Sequence, residues 1–199
     1  MNISEFITAL RRELKDEDPS NYRWSDEELR RHIERALNEV SYFSPLEIYE
    51  IYEVYGGGID LGDVVGVEAV EYPLGENPPS FISFKFWGGR ITFDEDIPDG
   101  DKVGVYILKK HEINDEGSTL PPHLEEVVLK GAGGYAGLEW SIYSIERTDI
   151  SQDTWSRFLE WSKERLQDYR ENLMKIKRRR VRAFKLRNKQ DPRILPRQQ

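Results

Sequence analysis

The hydrophobic spacing of this chain changes period twice. Residues 1–44 and 121–176 repeat apolar groups at the three- to four-residue interval of a helix, whereas much of the segment between them is patterned like strands. Such a chain folds neither as a plain bundle nor as a plain sheet. It calls for an α+β arrangement: a bundle of about four helices with a small antiparallel β-rich insert. In the first part, Phe6, Ile7, Leu10 and Leu14 share a face, which predicts a helix over 3–14 with Ser4 as its cap. "KDEDPSNY" breaks that helix. A second is predicted over 25–43. Ser25 followed by Glu28 forms a capping box, Asp26 and Glu27 suit the positive helix start, and Leu29, Ile33, Ala36, Leu37 and Val40 form one face. Pro45 ends it.

The insert is predicted over 46–113. "EIYEIYEVY" carries Glu at every third position, a helix-like feature, but its β-branched and aromatic content and the following "GGG" favour a strand. "VVGVEAVEY" alternates Val67, Ala69 and Glu71 against Glu68, Val70 and Tyr72. "FISFKFW", "GG" and "RITFD" read as a hairpin turning at Gly88 and Gly89, and "KVGVYILKKHEI" is a further strand. The expectation is one small sheet of four or five mostly antiparallel strands.

After "NDEGSTLPP" the helical period returns. A helix over 121–146, with Pro122 near its start, places Leu124, Val127, Val128, Gly131, Tyr135, Leu138, Ile142 and Ile145 on one side. "GAGGYAG" lies inside it. A phosphate-cradling loop needs a strand before it and a helix opening at it, and this segment has neither. Gly131, Gly133, Gly134 and Gly137 read instead as a close-packing surface for another helix, within the chain or between subunits. Each Gly costs about 1 kcal/mol of helix propensity against Ala, so a close contact should compensate. The last helix, over 151–174, has a near-heptad seam of Trp155, Leu159, Leu166, Tyr169 and Leu173 running on to Ile176, with Ser162 as its gap.

Charge divides the chain at the end of that seam. Residues 175–199 contain eleven of the 29 Lys/Arg and one of the 37 acidic residues, so this extended basic tail or helix carries +10 and the body, residues 1–174, carries −18. A helix C-terminus accommodates two or three cations, not eleven. The remaining readings are that the tail grips phosphates, or that it docks on an acidic protein surface and orders there. The acidic body is a poor match for DNA and favours the second. There is no Cys, which excludes a disulfide framework and thiolate metal sites and fits a reducing compartment. No apolar run has membrane-spanning length, and the N-terminus lacks the pattern of a signal peptide, so a soluble intracellular protein is expected, with no membrane partner.

Catalytic chemistry finds little footing. His32, His111 and His123 fall on a helix face, a strand end and a helix start, with no ligand at metal-binding spacing. "FDEDIPDGD" has five carboxylates but not the spacing of a calcium loop. No catalytic residues, metal ligands or cofactors are assigned, and an enzyme is not expected.

The order of elements resembles the head–tail connector (adaptor) proteins of tailed bacteriophages, over most of the chain. "YRWSDEELRRHIERALNEVS" resembles the family's early helix, "VEAVEYP" with "PPSFISF" the β insert of its larger members, and "STLPPHLEEVVLKGAGGYAGLEW" the small-residue helix that follows. "WSKERLQDYRENLMKIKRRR" resembles the final helix with its basic extension. The resemblance implies a structural protein of the virion neck, assembled in the host bacterial cytoplasm. It would be a homo-oligomer, usually a dodecameric ring in the virion and monomeric alone, seated beneath the portal protein. The ring lengthens the DNA channel, through which DNA passes without specific binding, and offers a surface to a downstream tail-completion or stopper protein. A C-terminal segment docks against the portal in related connectors. The matching stretch here implies Lys175, Lys177, Arg178, Arg179, Arg180, Arg182, Phe184, Lys185 and Arg187 as partner-binding residues. The competing reading is a nucleic-acid-binding protein that uses the tail as a basic arm.

Overall fold

The structure, a computed structural model, describes residues 1–145 and 152–176. It is a mixed α+β fold that divides into a helical unit, Met1–Leu46 with residues 110–145 and 152–176, and a β unit containing Glu47–Lys109.

The helical unit has four helices: α1 (Ile3–Leu14), α2 (Asp26–Phe43), α3 (Pro122–Ile145) and α4 (Gln152–Ile176). α1 is capped by Asn2 rather than Ser4. The Asn2 side chain accepts from the Glu5 amide and Glu5 returns the bond to the Asn2 amide, a full capping box two residues earlier than the hydroxyl at Ser4 suggested. Ser25 and Glu28 close the same motif on α2, so Ser25 is the cap and Asp26 the first helical residue. α3 packs against all three other helices. Its middle is buried on nearly every side, from Val127 through Gly137. The core joins Phe6, Leu10 and Leu14 of α1, Leu29, Ile33 and Val40 of α2, Leu124 and Val128 of α3, and Leu166, Tyr169 and Leu173 of α4.

One polar cluster closes the α1–α2 connection. Arg11, on the inward side of α1, donates to Asp16 at 2.6 Å, to the Trp24 carbonyl at 2.9 Å and to Asp26 at 2.7 Å. Its guanidinium also stacks 3.5 Å from the Tyr22 ring centroid, and Asp16 accepts from the Arg23 amide at 2.8 Å. A buried charge survives only when its hydrogen bonds are met, and here the loop supplies them.

The predicted apolar face of α3 is correct as far as Leu138 and fails beyond it. Ile142 and Ile145 are 59% and 52% exposed, while Ser141 and Ser144 are buried. Their hydroxyls donate back to the carbonyls of Gly137 and Trp140, which lets small polar residues occupy the inward face.

The β unit departs from the single sheet expected. Its six strands, β1 (Leu46–Glu53), β2 (Gly58–Asp60), β3 (Gly66–Glu71), β4 (Phe84–Trp87), β5 (Arg90–Phe93) and β6 (Lys102–Lys109), form two three-stranded sheets in the orders β1-β6-β3 and β2-β5-β4. The β4–β5 hairpin turns at Gly88 and Gly89, with φ of 58° and 80°, as the doubled glycine predicts. β3 pairs antiparallel with β6 and slips register between Val67 and Ala69. That bulge breaks the expected alternation and leaves Ala69, Val70 and Glu71 all buried. A separate core of Val54, Val70, Ile82, Ile91, Val103, Val105 and Ile107 holds the unit together.

Candidate functional site

Three sets of residues were assigned from sequence: the glycines of α3, the basic tail, and the histidines as discarded candidates. The structure describes the first and third, and only Lys175 of the second.

The glycines form a contact surface within the chain. A Cβ placed on Gly131 would lie 2.8 Å from the Tyr169 ring and 3.0 Å from Ala36 Cβ, and one on Gly134 would lie 2.7 Å from Leu166 Cγ. On Gly137 it would lie 2.4 Å from Ser162 Oγ. These distances are shorter than a carbon contact allows, so α3 and α4 approach because the side chains are missing. Gly133 differs: its nearest neighbour would be Arg165 Nε at 3.2 Å, on a side chain paired with Glu13 of α1. Tyr169 donates to the Ala36 carbonyl at 3.1 Å, and Tyr135 donates to Glu39 at 2.7 Å beneath the Arg35 guanidinium. Burial, reinforced by the Glu39 carboxylate, pushes the Tyr135 hydroxyl up to about 12, so it stays a donor. α2, α3 and α4 are thus locked together at the level of the glycines.

α4 carries that packing nearly to its end. Leu166, Tyr169 and Leu173 are buried, Ile176 is half-buried, and Lys175 is exposed in the last turn. Lys177, Arg178, Arg179, Arg180, Arg182, Phe184, Lys185 and Arg187 lie outside the described residues.

The histidines do not converge. Buried His32 has Nε2 3.1 Å from Glu139 Oε2, in an orientation that forms no hydrogen bond. Burial lowers its pKa, partly opposed by the Glu139 carboxylate. His111 is held by the helical unit's own loops. Its amide donates to Ser41 Oγ at 3.0 Å, Nε2 lies 3.0 Å from the Ser44 carbonyl, and Nδ1 lies 3.1 Å from Thr119 Oγ1. Nδ1 also lies 3.2 Å from the Thr119 carbonyl, so each ring nitrogen faces a backbone acceptor. His123 is exposed at the start of α3. Among the described residues, no three His, Cys, Asp or Glu side chains cluster as a metal site would require. The carboxylates of the 94–101 loop serve the β unit itself: Asp99 accepts from the Gly56 amide, Asp101 from the Tyr72 hydroxyl, and Asp94 pairs with Lys85.

A groove of about 490 Å³ lies between α1 and α4 and is lined by Glu13, Leu14, Lys15, Arg23, Arg157, Phe158 and Trp161. Its floor is aromatic, and its rim sets Glu13, which pairs with Arg165, among three cations. No described helix is long and apolar enough to cross a membrane.

Sequence reading missed the Arg11 cluster. Its signal was an arginine next to Leu10 on the apolar side of α1, followed five residues later by Asp16 in a loop otherwise read only as a helix breaker.

In comparisons with known proteins, no family model matches the chain and no curated protein matches it significantly.

Proposed function

We propose that this chain is a head–tail connector subunit of a tailed bacteriophage, forming a ring beneath the portal that extends the DNA channel and joins capsid to tail. The observation that carries the reading is the way α4 is built. Its inner face is fixed against the glycines of α3 as far as Tyr169, Leu173 is buried in the core a turn later, and the basic segment follows directly from its last turn. A rigid helix that ends in a dense cationic segment suits a docking arm, since the body pre-orients what the partner must capture. The body's −18 charge supports the same reading. A channel wall that carries negative charge repels phosphates and lets DNA slide, and the tail's charge is then satisfied on protein. The reading assigns no catalytic role.

The runner-up, a nucleic-acid-binding protein with the tail as its arm, is favoured by the tail's eleven Lys/Arg alone. The test is co-purification with the portal protein encoded nearby, followed by particle imaging, with the full chain compared with one ending at Met174. A ring on the portal that is lost with the tail is the expected result. No association, together with duplex DNA binding that weakens steeply with salt, selects the runner-up.

A further inference from the structure

One indole stands almost bare at the tip of a hairpin. Trp87 ends β4 at the β4–β5 turn and is 88% exposed, more than any other large apolar residue among those described. The frame that presents it is fixed. Its cross-strand partner is Arg90, whose guanidinium donates to Asp60 of β2 at 2.8 Å. The turn is backed by the loop Asp60–Asp63. There the Leu61 amide donates to the Gly89 carbonyl at 2.8 Å, and the Gly62 carbonyl oxygen lies 2.6 Å from the Cβ position of Gly89. A tryptophan is a large apolar surface to leave in water, and it is the side chain that most often anchors an interface. The unit that carries this one is acidic, with 13 Asp/Glu against 4 Lys/Arg over residues 47–109.

The helical unit holds the complementary surface. The groove between α1 and α4, at about 490 Å³, has room for an indole and the residues beside it. Its floor is Phe158 and Trp161, half-buried, with ring centroids 5.6 Å apart. Around it stand Lys15, Arg23 and Arg157. The Lys15 and Arg23 side chains have no carboxylate partner among the described residues; Arg23 only overhangs the Trp140 ring at 5.4 Å. Arg157 reaches Asp153 at 3.8 Å, with both side chains more than 80% exposed. Glu13, the one carboxylate of the lining, is taken by Arg165. Lys15 is also the only described non-glycine residue with a positive φ, 55°, at the C-cap of α1. Glycine or asparagine is the usual choice there, so the chain keeps a cation on the rim against its backbone preference. Acidic residues outnumber basic ones 36 to 18 over residues 1–174, yet these cations are left unneutralised beside an open aromatic floor.

We propose that this groove receives the Trp87 hairpin of a second copy of the chain. The indole lies on the Phe158–Trp161 floor, the rim cations take up positions at its π-face, and the acidic β unit meets the basic rim. Charge complementarity selects the occupant. The groove asks for an aromatic anchor carried on an acidic body, and the hairpin is such an anchor on such a body. Each half is unfilled within its own unit, and every copy carries both, so the contact needs no other protein. The two surfaces differ, which makes the contact head-to-tail, the kind that closes rings or runs into filaments. The inference rests neither on the portal reading nor on the basic tail. If the connector reading holds, it supplies the contact between neighbours in the ring.

Two full-length variants separate the halves of the contact. Trp87→Ser removes the anchor and keeps the groove. Lys15→Glu with Arg157→Glu reverses two exposed rim charges and keeps the hairpin. Sedimentation velocity should show concentration-dependent association of the wild-type chain, monomers for each variant alone, and a one-to-one pair when the variants are mixed. Trp87→Ser should melt as the wild type does, so that lost association is not lost fold. Because the chain has no Cys, the placement can be read by cross-linking. A Lys85→Cys chain, altered on the Trp87 face of β4, mixed with an Arg157→Cys chain should give a disulfide-linked pair under mild oxidation. The same chain mixed with Glu116→Cys, outside the groove, should not. Equal yields from the two mixtures would overturn the proposal. So would mixed charge and Trp87 variants that stay monomeric, or a Trp87→Ser chain that associates like the wild type. A wild-type chain that is monomeric at every concentration would overturn it too, and would leave the groove to an acidic segment of a different protein.

Discussion

Gly137 of α3 faces Ser162 of α4 so closely that a single added carbon on the glycine would sit 2.4 Å from the serine oxygen. Ser162 is fully buried and turns its hydroxyl back to the Phe158 carbonyl at 2.7 Å, so the short side chain leaves no unmet polar group in the contact. The pair sets the spacing of the two helices.

Gly137→Ala should therefore destabilise the protein despite its better helix propensity. Overpacking of a tight core typically costs about 1–3 kcal/mol, against a propensity gain of about 1 kcal/mol. Gly134→Ala, facing Leu166, should behave alike. Gly133→Ala is the contrast: its nearest neighbour would be the Arg165 side chain at 3.2 Å, with no atom under 3 Å, and the substitution should cost less than at 137. Urea melts of the three variants check the order. Equal destabilisation at 133 and 137 would contradict the account.

Arg11→Met should be among the most damaging single substitutions. It leaves Asp16, whose side chain is 2% exposed, without its cation and frees the Trp24 carbonyl. Stranding a buried charge in this way costs about 3–5 kcal/mol. A double variant that also carries Asp16→Asn should recover part of that loss in chemical denaturation, and failure to recover any would mean that the ion pair is not the cause.

Acid should weaken the helical unit before the carboxylates titrate. Burial lowers the pKa of both His32 and His111 below the ordinary 6.5. A folded-state pKa below the unfolded one means that the unfolded chain binds the proton first. Their contribution is then complete above about pH 6.5 and is lost as pH falls through the folded-state values. Around His32 the charged groups are Glu139, Arg31, Arg35 and Glu28, of which Glu139 opposes the shift most. The melting temperature should drop between about pH 6.5 and 5, and His32→Gln should flatten that slope.

In the β unit, Gly89→Ala should cost about 1–3 kcal/mol. The residue sits at φ 80°, and a Cβ there would meet the Gly62 carbonyl oxygen at 2.6 Å, a backbone atom with little room to yield. Gly88, at φ 58° with open space around its Cβ position, should tolerate Asn far better. Thermal melts of Gly89→Ala and Gly88→Asn decide it.

Much of this arrangement was legible in the residues. The capping box at Ser25 and Glu28, the doubled glycine of the hairpin and the seam of α4 each rest on local chemistry, and local chemistry can be read along a line. The errors came where a partner intervened. The end of α3 was misread because large apolar groups were taken to mark the inward face. Gly134 and Gly137 meet α4 there, and the buried residues that follow them on the inward face are Ser141 and Ser144. β3 lost its alternation to a bulge opposite β6, and the three-residue β2 was too short to carry a period. Ser162 was visible as a gap in one helix and Gly137 as a gap in another. Only their meeting in space shows that the two gaps are one feature.

His111 has a consequence for how this chain can vary. Its bonds to Ser41 and Ser44 tie together the two places where the helical unit gives way to residues 47–109. The excursion thus begins and ends at one fastened seam. The helices meet across that seam through their own residues, so the intervening lobe is a cassette. A change in its length would leave these contacts between the helices in place.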